Sequence, residues 1–210
     1  MSRSGRLCLD GPPGTGKTAF ARWLAERMSL PIVLKRASDL MSKWVGENEQ
    51  NIARAFKEAD QGGAILLIDE VDSFLQDRRG AQHGWEATLV NEMLTQMESF
   101  SGIFIGTTNL MTGLDQVALR RFDLKVKFDF LRPEQSCELF QRYCQQLTLP
   151  APASAVLMQL SRLSHLTPGD FAAVIRQHRF RPICSTEAFL AALAGECEIK
   201  ALGKGAIGFM

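Results

Sequence analysis

No segment of this 210-residue chain is apolar for long. Its longest unbroken aliphatic run, Ala64 to Ile68, falls far short of the roughly 20 residues that a membrane-spanning helix needs, so a bilayer span is excluded. The basic start Met1-Ser2-Arg3-Ser4-Gly5-Arg6 leads into no apolar stretch of the roughly 7 to 15 residues found in a secretory signal, which argues against export. An excess of one charge is also missing: 24 Lys and Arg face 23 Asp and Glu, a formal net charge of +1. No overall field therefore draws the chain to nucleic acid or to an anionic membrane. The five cysteines (Cys8, Cys137, Cys144, Cys184, Cys197) are odd in number and show no Cys-x-x-Cys spacing, and His83, His165 and His178 share no metal-ligand spacing. Neither a disulfide framework nor a zinc knuckle is suggested, and reduced, mostly packed thiols in a cytoplasmic protein are expected. With 46% hydrophobic residues against 22% charged and only 8 prolines, the chain can bury a sizeable core.

Short apolar runs alternate with longer segments of helical period. Leu7 to Leu9 precedes Ala19 to Met28, Ile32 to Leu34 precedes Ile52 to Ala59, and Ile65 to Ile68 precedes Leu89 to Met97; Ile103 to Ile105 and Val126 to Phe130 follow. This β-α-β-α rhythm predicts a three-layer α/β core, because parallel strands need crossovers and these are usually helices. After Phe130 the strand signal stops, and helices are expected near Pro133 to Leu147, Ser154 to Leu163, Pro168 to His178 and Thr186 to Ala194. The expected organisation is a large α/β domain over 1–131, a small helical lid domain over 132–202 and a Gly-rich tail over 203–210.

Gly11-Pro12-Pro13-Gly14-Thr15-Gly16-Lys17-Thr18 matches the P-loop pattern in its required context, after a short apolar strand and before an amphipathic helix. Its glycines allow consecutive N–H groups to turn inward around phosphate oxygens at a helix N-terminus, whose dipole also favours anions. Pro12 and Pro13 stiffen the loop. Lys17 is expected to reach the β- and γ-phosphates, and the Thr18 hydroxyl to ligate Mg²⁺. Further on, Ala64 to Ile68 reads as a buried strand delivering Asp69 and Glu70 at its C-terminal end, the edge where open α/β sheets bind ligands. Asp69 suits the metal shell through water, and Glu70 suits polarisation of an attacking water; capping of the next segment is the plainer alternative. Ile103 to Asn109 is another apolar strand ending in small polar groups. There Asn109 either contacts the γ-phosphate or the lytic water, or caps a loop. Asp115 to Asp123 reads as a short helix ending in Arg120 and Arg121, either a solvated surface or a finger supplied to a neighbouring subunit's γ-phosphate.

In this order, Gly-Pro-Pro-Gly-Thr-Gly-Lys-Thr, Ile-Asp-Glu, Thr-Thr-Asn and Leu-Arg-Arg-Phe-Asp resemble the AAA family of ATPases in the narrow sense, the group containing katanin, the proteasomal ATPases and the membrane-bound AAA proteases. The resemblance covers nearly the whole chain. It implies a five-stranded parallel sheet with the Asn109 strand between those carrying Lys17 and Asp69, a helical lid, and a homo-oligomeric ring, usually of six. It also gives Ser42-Lys43-Trp44-Val45-Gly46-Glu47 the role of a central-pore loop, in which Trp44, Val45 and Gly46 grip an extended polypeptide; an ordinary helix-flanking tryptophan is the alternative. By the same resemblance, Gly169 and Asp170, within Thr167-Pro168-Gly169-Asp170-Phe171, start a lid helix over the nucleotide.

Two departures stand out. The family usually separates its two trans-acting arginines by a few residues, whereas Arg120 and Arg121 are adjacent, so one of them, Arg121 beside Phe122-Asp123, is expected to act. Relatives also carry some tens of residues before the first strand that complete the adenine pocket. Here the strand begins around Arg6, which is expected of a fragment or of a chain that holds adenine loosely. The expected activity is Mg²⁺-dependent ATP hydrolysis coupled to remodelling or threading of a protein substrate. The alternative is a nucleotide-gated scaffold with slow or no turnover. A nucleic-acid motor is disfavoured by the near-zero net charge, and Arg176, Arg179 and Arg181 are read as a solvated helix face. The loop Gln76 to Gly84, with Arg78 and Arg79, is either pore-facing or an ordinary surface loop. The helix opened by Trp85 and Glu86 is expected to bury Leu89, Val90, Met93, Leu94 and Met97.

Overall fold

The computed structural model describes residues 4–42, 46–75 and 84–203, with the backbone alone for residues 84–87, 112 and 201–203. Trp44, Val45, Arg78, Arg79, His83 and the tail beyond 203 lie outside the described residues. The chain forms two compact units: the first runs to Gly11 and resumes over Lys17–Phe128, and the second comprises Pro12–Gly16 and the residues from Asp129 onward.

In the first unit, β1 (Gly5–Asp10), α1 (Lys17–Met28), β2 (Ile32–Arg36), α2 (Ala37–Leu40), α3 (Glu47–Gln61), β3 (Ile65–Asp69), α4 (Gly84–Ser99), β4 (Ile103–Thr108), α5 (Gln116–Arg121) and β5 (Leu124–Lys127) follow one another. The five strands form one sheet in the order β2-β3-β4-β1-β5, with every pairing parallel. The continuous apolar run of β3 is explained by burial on both faces. Leu66 and Ile68 join a core with Ile52, Phe56, Met93 and Phe104, whereas Ile65 and Leu67 join Ala21, Ala25, Ile103 and Ile105 beneath α1. In α3 the buried positions Ile52, Ala55, Phe56 and Ala59 recur at helical spacing, and Glu47 and Glu49 in its first turn oppose the helix dipole favourably. Leu89, Val90, Met93, Leu94 and Met97 of α4 are all buried.

The last strand is Leu124–Lys127 rather than Val126 to Phe130. Its ladder with β1 ends at the Asp10–Lys127 pair, and the Phe128 N–H makes a final bond to the Asp10 carbonyl at 2.6 Å. The apolar alternation of Val126, Phe128 and Phe130 outruns the available partner.

The second unit holds α6 (Pro133–Gln146), α7 (Ser154–Leu160), α8 (Pro168–Gln177) and α9 (Thr186–Gly203). Proline opens both α6 and α8, where its missing N–H has no intrahelical partner to lose. Phe140, Phe171 and Phe189 are fully buried in its core, and the Phe140 and Phe189 rings stack with centroids 4.6 Å apart. The last helix runs well beyond Ala194. Gly195 would signal a stop, yet α9 continues through it, and nothing lies within 4 Å of where its Cβ would be. Among the described residues, no helix is long and apolar enough to cross a membrane.

Candidate functional site

The C-terminal ends of β1, β3 and β4 lie side by side because these strands are neighbours in the sheet. β1 ends at Asp10 opposite Thr108 of β4, and the Gly11 N–H continues this ladder to the Thr108 carbonyl at 3.2 Å. Gly11 cannot be replaced without distortion. Its φ is +145°, and a Cβ there would sit 2.0 Å from the Phe128 carbonyl oxygen. Lys17 opens α1 with its side chain turned back along the loop, where Nζ donates to the Gly11 carbonyl at 2.5 Å and to Asn109 Oδ1 at 2.8 Å. The structure thus brings together Lys17 and Asn109, 92 residues apart in sequence.

Lys17 is buried, and that burial pulls its pKa below the ordinary lysine value of 10.5 against the opposing attraction of Asp69, Asp10 and Asp72. Burial likewise pushes the Cys8 thiol up to about 11, with Asp10 adding to the rise, so this thiol beneath the site stays protonated and inert.

Asp69 ends β3, and Glu70 follows it in the left-handed region at φ 62°, an uncommon backbone for a non-glycine residue. Thr107 joins the two. Its hydroxyl donates to Asp69 Oδ1 and accepts the Glu70 N–H at 3.3 Å. This backbone turn leaves Glu70 exposed while Asp69 is half-buried. Thr107 was missed from sequence. The signal for it is the β3–β4 register, in which Ile68 pairs with Gly106, making Asp69 and Thr107 the next neighbours.

Thr18 is half-buried in the first turn of α1. Its hydroxyl and the Asp69 carboxylate are hard oxygen donors, few in number, which fits a Mg²⁺ ion that keeps water and phosphate oxygens as its other ligands. Among the described residues no group of three or more His, Cys, Asp or Glu forms a complete metal cage.

Arg120 and Arg121 end α5, which is capped by Asp115 through bonds from the Val117 and Ala118 N–H groups at 2.8 and 3.1 Å. Both arginines are exposed, and Arg121 forms an ion pair with Glu98 of α4. Arg120 has no ion pair among the described residues. The Asp123 carboxylate after this helix receives the Arg6 N–H at 2.8 Å, and Arg6 Nε donates to the Met97 carbonyl at 2.6 Å.

In the second unit, Pro12–Gly16 pack against the start of α8. Thr15 Oγ1 donates to the Pro12 carbonyl at 2.8 Å, and the Gly169 N–H donates to the Gly14 carbonyl at 2.9 Å. Gly14 has φ +80°, and a Cβ on Gly169 would lie 2.9 Å from Gly14 Cα, so this contact requires both glycines. The Asp170 carboxylate is a helix cap, accepting from the Thr167 N–H at 2.7 Å and its hydroxyl at 2.9 Å. Of the three residues expected to grip the polypeptide, Trp44, Val45 and Gly46, only Gly46 is described, at φ 86° before α3. The segment's flanks are tied by Ser42, whose N–H donates to Asn48 Oδ1 at 2.5 Å and whose hydroxyl donates to Glu47 Oε2 at 2.6 Å.

A parallel sheet in which the Asn109 strand separates the two others, with a lysine-bearing glycine loop and an acidic strand end, defines the P-loop class of α/β nucleotide-binding folds. The family model for "ATPase family associated with various cellular activities (AAA)" matches residues 7–130, and the chain belongs to that family. Spastin of Drosophila melanogaster is 34% identical over 190 residues, covering 84% of this chain and 24% of spastin. Fidgetin-like protein 1 of Caenorhabditis elegans is 31% identical over 178 residues, covering 81% of this chain and 29% of that protein. Vacuolar protein sorting-associated protein 4 of Dictyostelium discoideum is 26% identical, covering 84% and 41%. The chain thus spans about a quarter of the length of the spastins it matches. A chain of the E. coli MS115-1 HORMA:CdnC:Trip13 complex shares the fold at a TM-score of 0.73, 24% identity, and coverage of 91% of this chain and 74% of that one.

Proposed function

We propose that the chain is an ATPase that hydrolyses ATP with Mg²⁺, assembles with copies of itself into a ring of six, and couples turnover to remodelling or threading of a protein substrate in the cytoplasm. The observation that carries this proposal is the convergence of Lys17, Asn109, Asp69 and Glu70 on adjacent strand ends.

In the proposed reaction, the loop Gly11 to Thr18 binds the triphosphate through its amides, and Lys17 exchanges its carbonyl and amide acceptors for phosphate oxygens. Thr18, and Asp69 through water, would hold Mg²⁺, which would supply charge neutralisation at the phosphates. Glu70 accepts a proton from the attacking water, and Asn109 orients that water or the γ-phosphate. The water oxygen bonds to the γ-phosphorus as the bond to the bridging oxygen breaks, giving ADP, inorganic phosphate and a proton. Thr107 orients the carboxylate pair by fixing Asp69 while bonding the Glu70 backbone.

A neighbouring subunit completes the site with an arginine from the Arg120–Arg121 pair. The Glu98–Arg121 ion pair is no obstacle, because both side chains are 45% exposed and such pairs contribute only about 0–1 kcal/mol. Residues 132–202 act as the lid domain, with Gly169 beside the nucleotide and Trp44, Val45 and Gly46 contacting substrate in the pore.

Glu70→Gln, sized with and without ATP, tests binding and assembly together. It should bind ATP, shift to a larger species and turn over at least about 100-fold more slowly than the parent. Parental turnover would remove Glu70 as the base. Phosphate release per subunit should rise with protein concentration and collapse in the Arg121→Ala variant; if Arg120→Ala collapses instead, the trans role moves by one residue. Nucleotide-dependent assembly without release would favour a scaffold.

A further inference from the structure

We infer that Lys200, near the end of α9, is a positioning residue for the phosphate loop, acting through the Thr167–Asp170 turn; its nucleotide arm rests on the function proposed above. Lys200 stands 30 residues beyond Asp170 and outside every motif in the chain. Its ammonium has three hydrogens to donate, and three acceptors surround it: Asp170 Oδ2 at 2.5 Å, the His165 carbonyl at 3.2 Å and Thr167 Oγ1 at 3.4 Å. All belong to the short segment that turns into α8.

The pair with Asp170 differs from a surface ion pair. The Asp170 side chain is only 7% exposed, and its Oδ2 accepts from the Thr167 N–H and hydroxyl as well as from Lys200. Removing the cation would leave a buried carboxylate short of its matching charge. Two features of the same turn bear directly on the loop. The Gly169 N–H holds the Gly14 carbonyl at 2.9 Å, and Thr167 Oγ1 is the nearest atom, at 2.9 Å, to where a Cβ on Gly14 would stand. Lys200 is therefore one residue removed from the middle of the phosphate loop, and all of these contacts lie within the second unit. His165, whose carbonyl completes the set, itself holds a left-handed backbone at φ 67°. The same lysine thus fixes both sides of a turn that local sequence does not fully specify. The end of α9 sets how firmly Gly14, Thr15 and Gly16 present their amides.

The test compares Lys200→Met, Lys200→Arg and Asp170→Asn with the parent, first by amide hydrogen exchange without nucleotide. Lys200→Met should speed exchange of the Gly14, Thr15 and Gly16 amides about fivefold or more, Asp170→Asn should do the same, and Lys200→Arg should restore most of the protection. In the second arm, Lys200→Met should raise the dissociation constant for ATP about fivefold to tenfold while leaving kcat at saturating ATP within about twofold. If exchange rises only around residues 165–200 and the loop amides keep parental rates, Lys200 is a local stabiliser and the inference falls. Failure of arginine to restore loop protection also overturns it, since charge would then not be the acting feature. If the parent itself binds no ATP, the proposed function fails, and loop exchange still decides the role of Lys200.

Discussion

Lys17 and Lys200 lie in different units, each beside a turn rich in small residues, and their surroundings differ in kind. Lys17 is 7% exposed and donates to a main-chain carbonyl and a side-chain amide, with Asp10, Asp69 and Asp72 acting on it through their charges. Burial outweighs that attraction, and its pKa is lowered. The Lys200 side chain is 32% exposed and meets its carboxylate directly at 2.5 Å. One cation is held where desolvation penalises it, and the other where a buried anion already requires it. Stability and ligand affinity should therefore respond in opposite proportion at the two positions. At Lys17 the charge serves an incoming anion; at Lys200 it serves the fold and reaches the ligand only through the fold.

The largest expected effect breaks the first half of this contrast. Lys17→Met should lower ATP affinity at least about 100-fold, because a charged donor to the phosphates is lost, while relieving the cost of burying an ammonium. Calorimetric titration should show the loss of binding, and the thermal midpoint without nucleotide should hold or rise. A midpoint that drops together with affinity would mean that Lys17 stabilises the unliganded fold, contrary to the contrast drawn with Lys200.

Next in size is Gly14→Ala. The new Cβ would stand 2.9 Å from Thr167 Oγ1 at a φ of +80°, which should cost about 1–3 kcal/mol. Gly113→Ala, with nothing within 4 Å of its Cβ, serves as the control. Equal denaturation midpoints for the two variants would show that the loop and the α8 turn are not in the contact described.

These positions were unequally legible in the sequence. The phosphate loop could be read because its chemistry is local: eight consecutive residues carry the glycines, the lysine and the hydroxyl. The strand ends were legible because burial on both faces writes an unbroken apolar run that stops at the polar site, as Ile65 to Ile68 stops before Asp69-Glu70. Thr107 required the register between strands, a non-local fact, and Glu98 beside Arg121 required the packing of α4 against α5. Lys200 was hidden for a further reason. The helical pattern that begins at Thr186 is expected to run to Ala194, and Gly195, a weak helix former, follows directly. Beyond Gly195, Cys197 still packs against the core that holds Phe189, Leu190 and Leu193, and the continuation of α9 brings Lys200 to Asp170.

A smaller effect follows from the lowered pKa of Lys17. In the folded chain this ammonium loses its proton below 10.5, whereas in the unfolded chain it keeps it to that pH. Between the two values the unfolded state holds more protons, so the cost of burying the Lys17 ammonium is fully present below the folded value and fades as pH rises through the window. Phosphate binding needs the charged form and changes the other way. ATP affinity should decline by up to about tenfold per pH unit in that range, and the Lys17→Met variant should lack this dependence. Affinity that stays flat up to pH 10.5 would place the Lys17 ammonium away from the phosphates.

The smallest expected effect sharpens the Lys200 half of the contrast by comparing two ion pairs within the helical unit. Arg142 and Glu138 face each other across one turn of α6 at 3.3 Å, with side chains 72% and 74% exposed. Water solvates both whether or not they meet, so the pair should contribute no more than about 0.5 kcal/mol. Arg142→Ala should leave the thermal midpoint within about two degrees of the parent, less in high salt, and the loop amides at parental exchange rates. Lys200→Met removes a pair of the same formal chemistry from a site where the carboxylate cannot recover its lost partner from solvent. If the two variants shift the midpoint equally, burial of Asp170 is not what distinguishes them, and the coupling from α9 to Gly14 loses its physical basis.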